Sequence, residues 1–169
     1  SPRFELRALA DVPAALLVVE YEDRDATAEA RTLGAARVLD DPGEQQEVWN
    51  TRKEGLGILS SRRDARRPIP FIEDCAVPVA SLPEYVERLG AILRAHGVEG
   101  AYYAHASAGC LHTRPMLDLH AAADRGRMER IMDETVSLVA ELGGTLTGEH
   151  GDGRSKGPYL EQIFGAELM

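Results

Sequence analysis

GAYYAHASAGCLHTRPML, residues 100 to 117, is the stretch that decides the fold. Two strand-length runs, Gly100 to Ala106 and Leu111 to Leu117, flank the small residues Ser107 to Cys110. That is the pattern of a β-hairpin with a short glycine-containing loop. Set as a hairpin turning over Ser107 to Cys110, the runs bring His105 opposite His112 and Tyr103 opposite Arg114. Directly opposed residues project from one face with Cβ atoms about 5 Å apart. Two imidazoles at that spacing can hold one ion, although two histidines that simply flank a hairpin would look the same.

Helical patterns lie on both sides of the hairpin. Upstream, Ser81-Leu82-Pro83-Glu84 reads as a capping box with proline in the first turn. The helix it opens carries Leu82, Val86, Leu89, Ile92 and Leu93 on one face and ends at Gly97. Downstream, Asp124 to Leu142 repeats the pattern with Met128, Ile131, Met132, Val136, Val139 and Leu142, and Gly143-Gly144 closes it. Phe71 to Val77, FIEDCAV, is predicted as a strand before the first helix, its Glu73-Asp74 pair too polar for full burial. Thr145 to Thr147 is predicted as a short strand after the second. Two rounds of strand, helix and strand point to an α+β fold, a ferredoxin-like antiparallel sheet with helices packed on one face.

Nearer the start, Ala14 to Tyr21, AALLVVEY, has the composition of a strand buried on both faces. Asp25 to Leu33 reads as a helix stopping at Gly34, Ala36 to Leu39 as a second short strand, and Pro42 to Leu59 as a long helix. Trp49 and Arg52 share a face of that helix, and an arginine held against an aromatic ring can be aimed at a carboxylate. A core tryptophan beside a surface arginine would give the same spacing.

At 169 residues the chain is expected to be one domain, residues 1-169. A formal charge of -9 argues against a nucleic-acid surface. The one basic cluster, Arg62 to Arg67, contains Asp64 and reads as a solvated loop. No run approaches the roughly 18 apolar residues of a membrane span. Two cysteines, Cys75 and Cys110, make no disulfide framework, so a reducing, cytoplasmic setting is expected, with no basic-then-apolar leader. The abrupt start at Ser1-Pro2 and stop at Met169 read as the ends of an excised fragment.

Chemistry concentrates in GTLTGEHGDGRSKG, residues 144 to 157. Gly148, Gly151 and Gly153 let this turn bend closely around a ligand while it presents Glu149 and His150. Neutral imidazole and carboxylate suit zinc and similar ions, and a catalytic zinc site usually keeps three protein ligands and one open position. His105, His112 and Glu149 would supply that set. His150 would be the acid–base group. Because neighbours in a regular strand point to opposite faces, Glu149 and His150 can serve one site only if the turn is irregular. His96 and His120 read as surface residues, and Cys75 and Cys110 as small buried groups. Asp152, Arg154 and Lys156 either attract an anion or are merely solvated.

FIEDCAVP at Phe71 to Pro78, HASAGCLHTRP at His105 to Pro115 and GGTLTGEHGDGRSKG at Gly143 to Gly157, in this order, resemble the C-terminal, substrate-side domain of the FAD-linked oxidases. That group includes D-lactate and D-2-hydroxyglutarate dehydrogenases and the glycolate oxidase D subunit. The resemblance runs from about Ala14 to the last residue. It implies a ferredoxin-like cap over the flavin, a divalent metal such as zinc on His105, His112 and Glu149, and His150 as the base. It also implies Arg52, in Trp49-Asn50-Thr51-Arg52, as the clamp on the substrate carboxylate. FAD would be held mainly by a domain outside this chain, which has no glycine-rich phosphate loop. The commoner form of the first histidine motif, H-A-G-D-G-N-L-H, is replaced here by H-A-S-A-G-C-L-H, a variant similar to long members that carry an iron–sulfur-binding domain. The activity implied is oxidation of a small D-2-hydroxy acid to the 2-oxo acid, in the cytoplasm or peripherally at a membrane. Some dehydrogenases have a lysine just before the aspartate of the FIED-like strand. Ile72 and Glu73 stand there in this chain, so the choice of acid stays open. A metal- or small-acid-binding module without redox chemistry is the alternative.

Overall fold

The computed structural model describes residues 15–21, 26–32, 37–61 and 64–168. By its contacts the chain falls into two compact units, Ser1–Ser61 and Arg62–Met169.

The first unit contains helices α1, Ala26–Thr32, and α2, Pro42–Ser60. Asp41 starts α2: its Oδ1 accepts the Glu44 amide at 2.9 Å, and Pro42 takes the first helical position, where a missing N–H costs nothing. Two expected strands are not formed. Residues 15–21 carry no strand and leave Leu16, Leu17, Val18 and Val19 exposed, while Ala14 lies outside the described residues. Residues 37–39 are also without a strand, and Ala36 lies outside the described residues. At the helix start Arg37 pairs with Glu44 at 2.8 Å, and Gln45 donates to the Leu39 carbonyl at 2.7 Å. With that stretch tied to α2, residues 15–21 find no strand edge in their own unit, among the described residues, to complete a ladder. An apolar run becomes a strand only where such an edge exists.

The second unit comprises β1, Arg67–Pro68; β2, Cys75–Ala76; α3, Leu82–Ala95; β3, Gly100–His105; β4, Cys110–Leu117; α4, Ala122–Glu141; α5, Gly153–Lys156; and α6, Leu160–Phe164. Along β4 every residue but Arg114 is buried, so the strand needs partners on both edges. It pairs antiparallel with β3 on one side and with β1 and β2 on the other. A single antiparallel bridge from Ala76 to Thr145 stands where a fourth strand was expected. The order Thr145, β1 and β2, β4, β3, with α3 and α4 as the crossovers, is the split βαβ arrangement. The fold is α+β with an open antiparallel sheet. Ile72, Leu89, Leu93, Leu117, Ile131, Val136, Val139 and Leu146 join sheet and helices in one core. Each is worth about 1.5–3 kcal/mol as a fully buried side chain.

Three local expectations are corrected. Only Cys75–Ala76 of FIEDCAV forms a strand; residues 71–74 form turns, and Glu73 and Asp74, expected to be too polar for full burial, are buried. Ser81 makes no side-chain cap bond, because it ends a 3₁₀ turn with φ -91 and ψ -6, already outside the extended backbone a capping serine needs. The hairpin register differs as well: His105 pairs with Cys110, and Tyr103 with His112. A 3₁₀ turn over Ala106–Ala108 closes on Gly109 at φ 67, where a Cβ would stand 1.9 Å from the Val77 carbonyl oxygen. That contact fixes the left-handed residue at position 109 and starts β4 at Cys110. His112 thus shifts two places, from opposite His105 to opposite Tyr103. A two-residue shift preserves faces whereas a one-residue shift would reverse them, so Tyr103, His105, Cys110 and His112 still share one side.

Candidate metal centre

Asp74 organises the site. It is the one described residue other than glycine with positive φ, at 75, a conformation aspartate tolerates better than most residues. In that conformation its buried carboxylate accepts Thr147 Oγ1 at 2.6 Å and the backbone amides of Gly148, Glu149 and His150 at 3.1, 3.1 and 2.9 Å. Burial would raise its pKa, but the bonds from Thr147, His150 and Glu149 outweigh this and hold it well below the carboxylate range. The turn is therefore moulded around a fixed anion. Strand alternation does not apply to residues 148–150, which are bends, and Glu149 and His150 both reach one cluster.

In that cluster Glu149 Oε1 lies 3.1 Å from His105 Nε2 and 3.2 Å from His112 Nε2. Ligand atoms around a tetrahedral zinc stand roughly 3.3 Å apart, given bond lengths of about 2.0–2.1 Å. Glu149, in the glycine-rich turn, thus stands at about that spacing from both His105, at the β3 end, and His112, on β4, whereas His105 is not in the group of described residues whose ligand atoms all lie close to one another. His150 Nε2 is 3.7 Å from the same oxygen, and its ring centroid is 5.2 Å from that of His112. Tyr103 flanks the rings of His105 and His112, 5.3 Å from each. Ligand atoms of Asp74, His112, Glu149 and His150 also fall within 4.8 Å of one another. Asp74 is the weaker candidate, since its oxygens are already spent on the turn. Burial lowers the pKa of His112 despite Glu73 beside it, which keeps the imidazole neutral, the form that ligates.

Arg52 belongs to the first unit, where its guanidinium carbon sits 5.4 Å from the Trp49 ring centroid. The expected stacking is present. Lys156, expected either to attract an anion or to be solvated, is buried and donates to the carbonyls of Glu73 at 2.6 Å and Leu146 at 2.5 Å. Cys110 behaves as a small buried group: burial and its bond to Asp74 push the thiol up to about 12.

Residues 6–169 match the model of the family described as FAD linked oxidases, C-terminal domain. The chain belongs to that family. It is 38% identical over 133 residues to the D-2-hydroxyglutarate dehydrogenase of Pantoea ananatis, covering 79% of this chain and 13% of that protein. Over 124 residues it is 38% identical to the D-2-hydroxyglutarate dehydrogenase of Escherichia coli, covering 73% and 12%. It is 32% identical over 130 residues to the mitochondrial D-lactate dehydrogenase [cytochrome] of Arabidopsis thaliana, covering 77% and 23%. This FAD-linked oxidase C-terminal domain thus spans a small part of the D-2-hydroxyglutarate dehydrogenases it matches.

Two contributors escaped sequence reasoning. Asp74 and Glu73 lie in a run that reads as a polar strand. Their signal was indirect: paired acids in an apolar run are buried only when other groups compensate them.

Proposed function

We propose that this domain forms the substrate side of a flavin-dependent dehydrogenase that oxidises a D-2-hydroxy acid, of the D-lactate or D-2-hydroxyglutarate type, to the 2-oxo acid. The observation that carries the reading is the convergence of His105, His112 and Glu149 next to His150. FAD, bound mainly by a domain outside this chain, would supply the hydride acceptor, and a divalent metal such as zinc would supply Lewis acidity towards the substrate oxygens. His105, His112 and Glu149 would hold the ion. His150, half exposed beside it, takes the substrate hydroxyl proton at Nε2 as C2 loses hydride. Arg52, held over Trp49 within the first unit, is the residue we assign as clamp on the substrate carboxylate, through a planar two-point contact.

The H-A-S-A-G-C-L-H form of the histidine motif supports an iron–sulfur domain in the parent protein as the route for electrons. The enzyme would work in the cytoplasm, with peripheral membrane contact through its other domains. Among the described residues no helix is long and apolar enough to cross a membrane.

The test is His150→Ala in the full-length protein. Removing a positioned acid–base group costs about 10²–10⁴-fold, so turnover of D-lactate or D-2-hydroxyglutarate is expected to fall at least a hundredfold. A loss of less than tenfold would remove His150 from the reaction.

A further inference from the structure

Glu73 makes contacts that a merely buried acid would not need. Both its oxygens meet Arg114, Oε2 at 2.6 Å from Nε and Oε1 at 2.9 Å from Nη2. Oε1 also faces the Nδ1 atoms of two histidines, His112 at 3.6 Å and His150 at 3.9 Å. The Nε2 atoms of the same two rings face Glu149. Each ring thus stands between two carboxylates, one behind it and one in front.

His112 Nδ1 is buried and has no hydrogen-bond partner, although buried polar atoms are normally paired. Glu73 is the acceptor facing it. With the proton on Nδ1, the ring points a donor at Glu73 and leaves the Nε2 lone pair towards Glu149. With the proton on Nε2, the Nδ1 lone pair would face a carboxylate oxygen with nothing between them. The first tautomer is the one a metal ligand needs.

We infer that Glu73, paired with Arg114, is a positioning residue of this centre: its carboxylate stands behind the Nδ1 atoms of His112 and His150, just beyond hydrogen-bond distance, and its charge favours the tautomers that leave both Nε2 lone pairs towards Glu149. The inference rests on the metal reading given above. The arrangement is pre-set. Lys156 holds the Glu73 carbonyl, Arg114 holds its carboxylate, and Arg114 lies two residues from His112 on the same face of β4. Outer acceptors of this kind fix ring orientation and raise ligand basicity, and their loss typically costs about 10–100-fold in metal affinity.

Zinc affinity of the full-length protein, measured by chelator competition, tests this. Glu73→Gln keeps the shape but removes the charge that faces Arg114 and the two Nδ1 atoms, and it is expected to weaken zinc at least tenfold. Arg114→Met leaves the carboxylate in place and is expected to weaken zinc less. Equal weakening by both variants, as for a purely structural ion pair, would overturn the role, and so would a Glu73→Gln change under threefold. Should Glu73→Gln not fold, the double variant with Arg114→Met removes both charges together and is read by the same tenfold and threefold limits. A wild-type protein that binds no zinc would overturn the metal reading and this inference with it, whereas a binding wild type with an indifferent Glu73→Gln would overturn only the latter.

Discussion

Asp74 shows how a single carboxylate can shape a glycine-rich turn. Replacing it with asparagine orphans part of a buried donor set, a loss of about 1–3 kcal/mol. The sign of the pH dependence follows from its depressed pKa. Stability from the ionised group is complete above its ordinary value of 3.8 and is lost as pH falls towards the folded value, well below it. In thermal melts of metal-stripped protein, Asp74→Asn is expected to melt below wild type by a constant margin above about pH 5, and the margin should close in stronger acid. A margin unchanged below that range would mean that the turn does not depend on the charge. At this scale the sequence was partly legible. Glycine spacing announced Glu149 and His150, but nothing in FIED revealed that distant amides would neutralise Asp74, because that compensation exists only after folding.

Among the elements, the hairpin was legible as a hairpin and misjudged in register. Small residues marked the loop, yet only the contact of Gly109 with the Val77 carbonyl picks the left-handed residue. Gly109→Ala would place its Cβ against that oxygen in a strained backbone, so a loss of at least about 2 kcal/mol is expected in denaturant titrations. A change below 0.5 kcal/mol would mean the loop can rearrange freely. The helices α3 and α4 were readable because their apolar residues recur at helical spacing and meet a common core. Residues 15–21 misled for the converse reason: composition records a capacity for pairing, while pairing itself needs an edge that these residues do not meet among the described ones.

For the molecule as a whole, the split βαβ frame is what brings His105, His112 and Glu149 together from three separated stretches of chain. Asp74 holds the turn that carries Glu149 and His150, the kind of pre-organisation a metal centre would need. The fold class could be read from alternating strands and helices; the division at Ser61 could not, since it depends on which contacts form. The direct measurement is metal content of the purified full-length protein after dialysis, for wild type and Glu149→Ala. About one divalent ion per chain is expected in wild type at this site, and loss of that ion in a variant that keeps its fold. Full retention in Glu149→Ala, or no ion in wild type, would contradict the site.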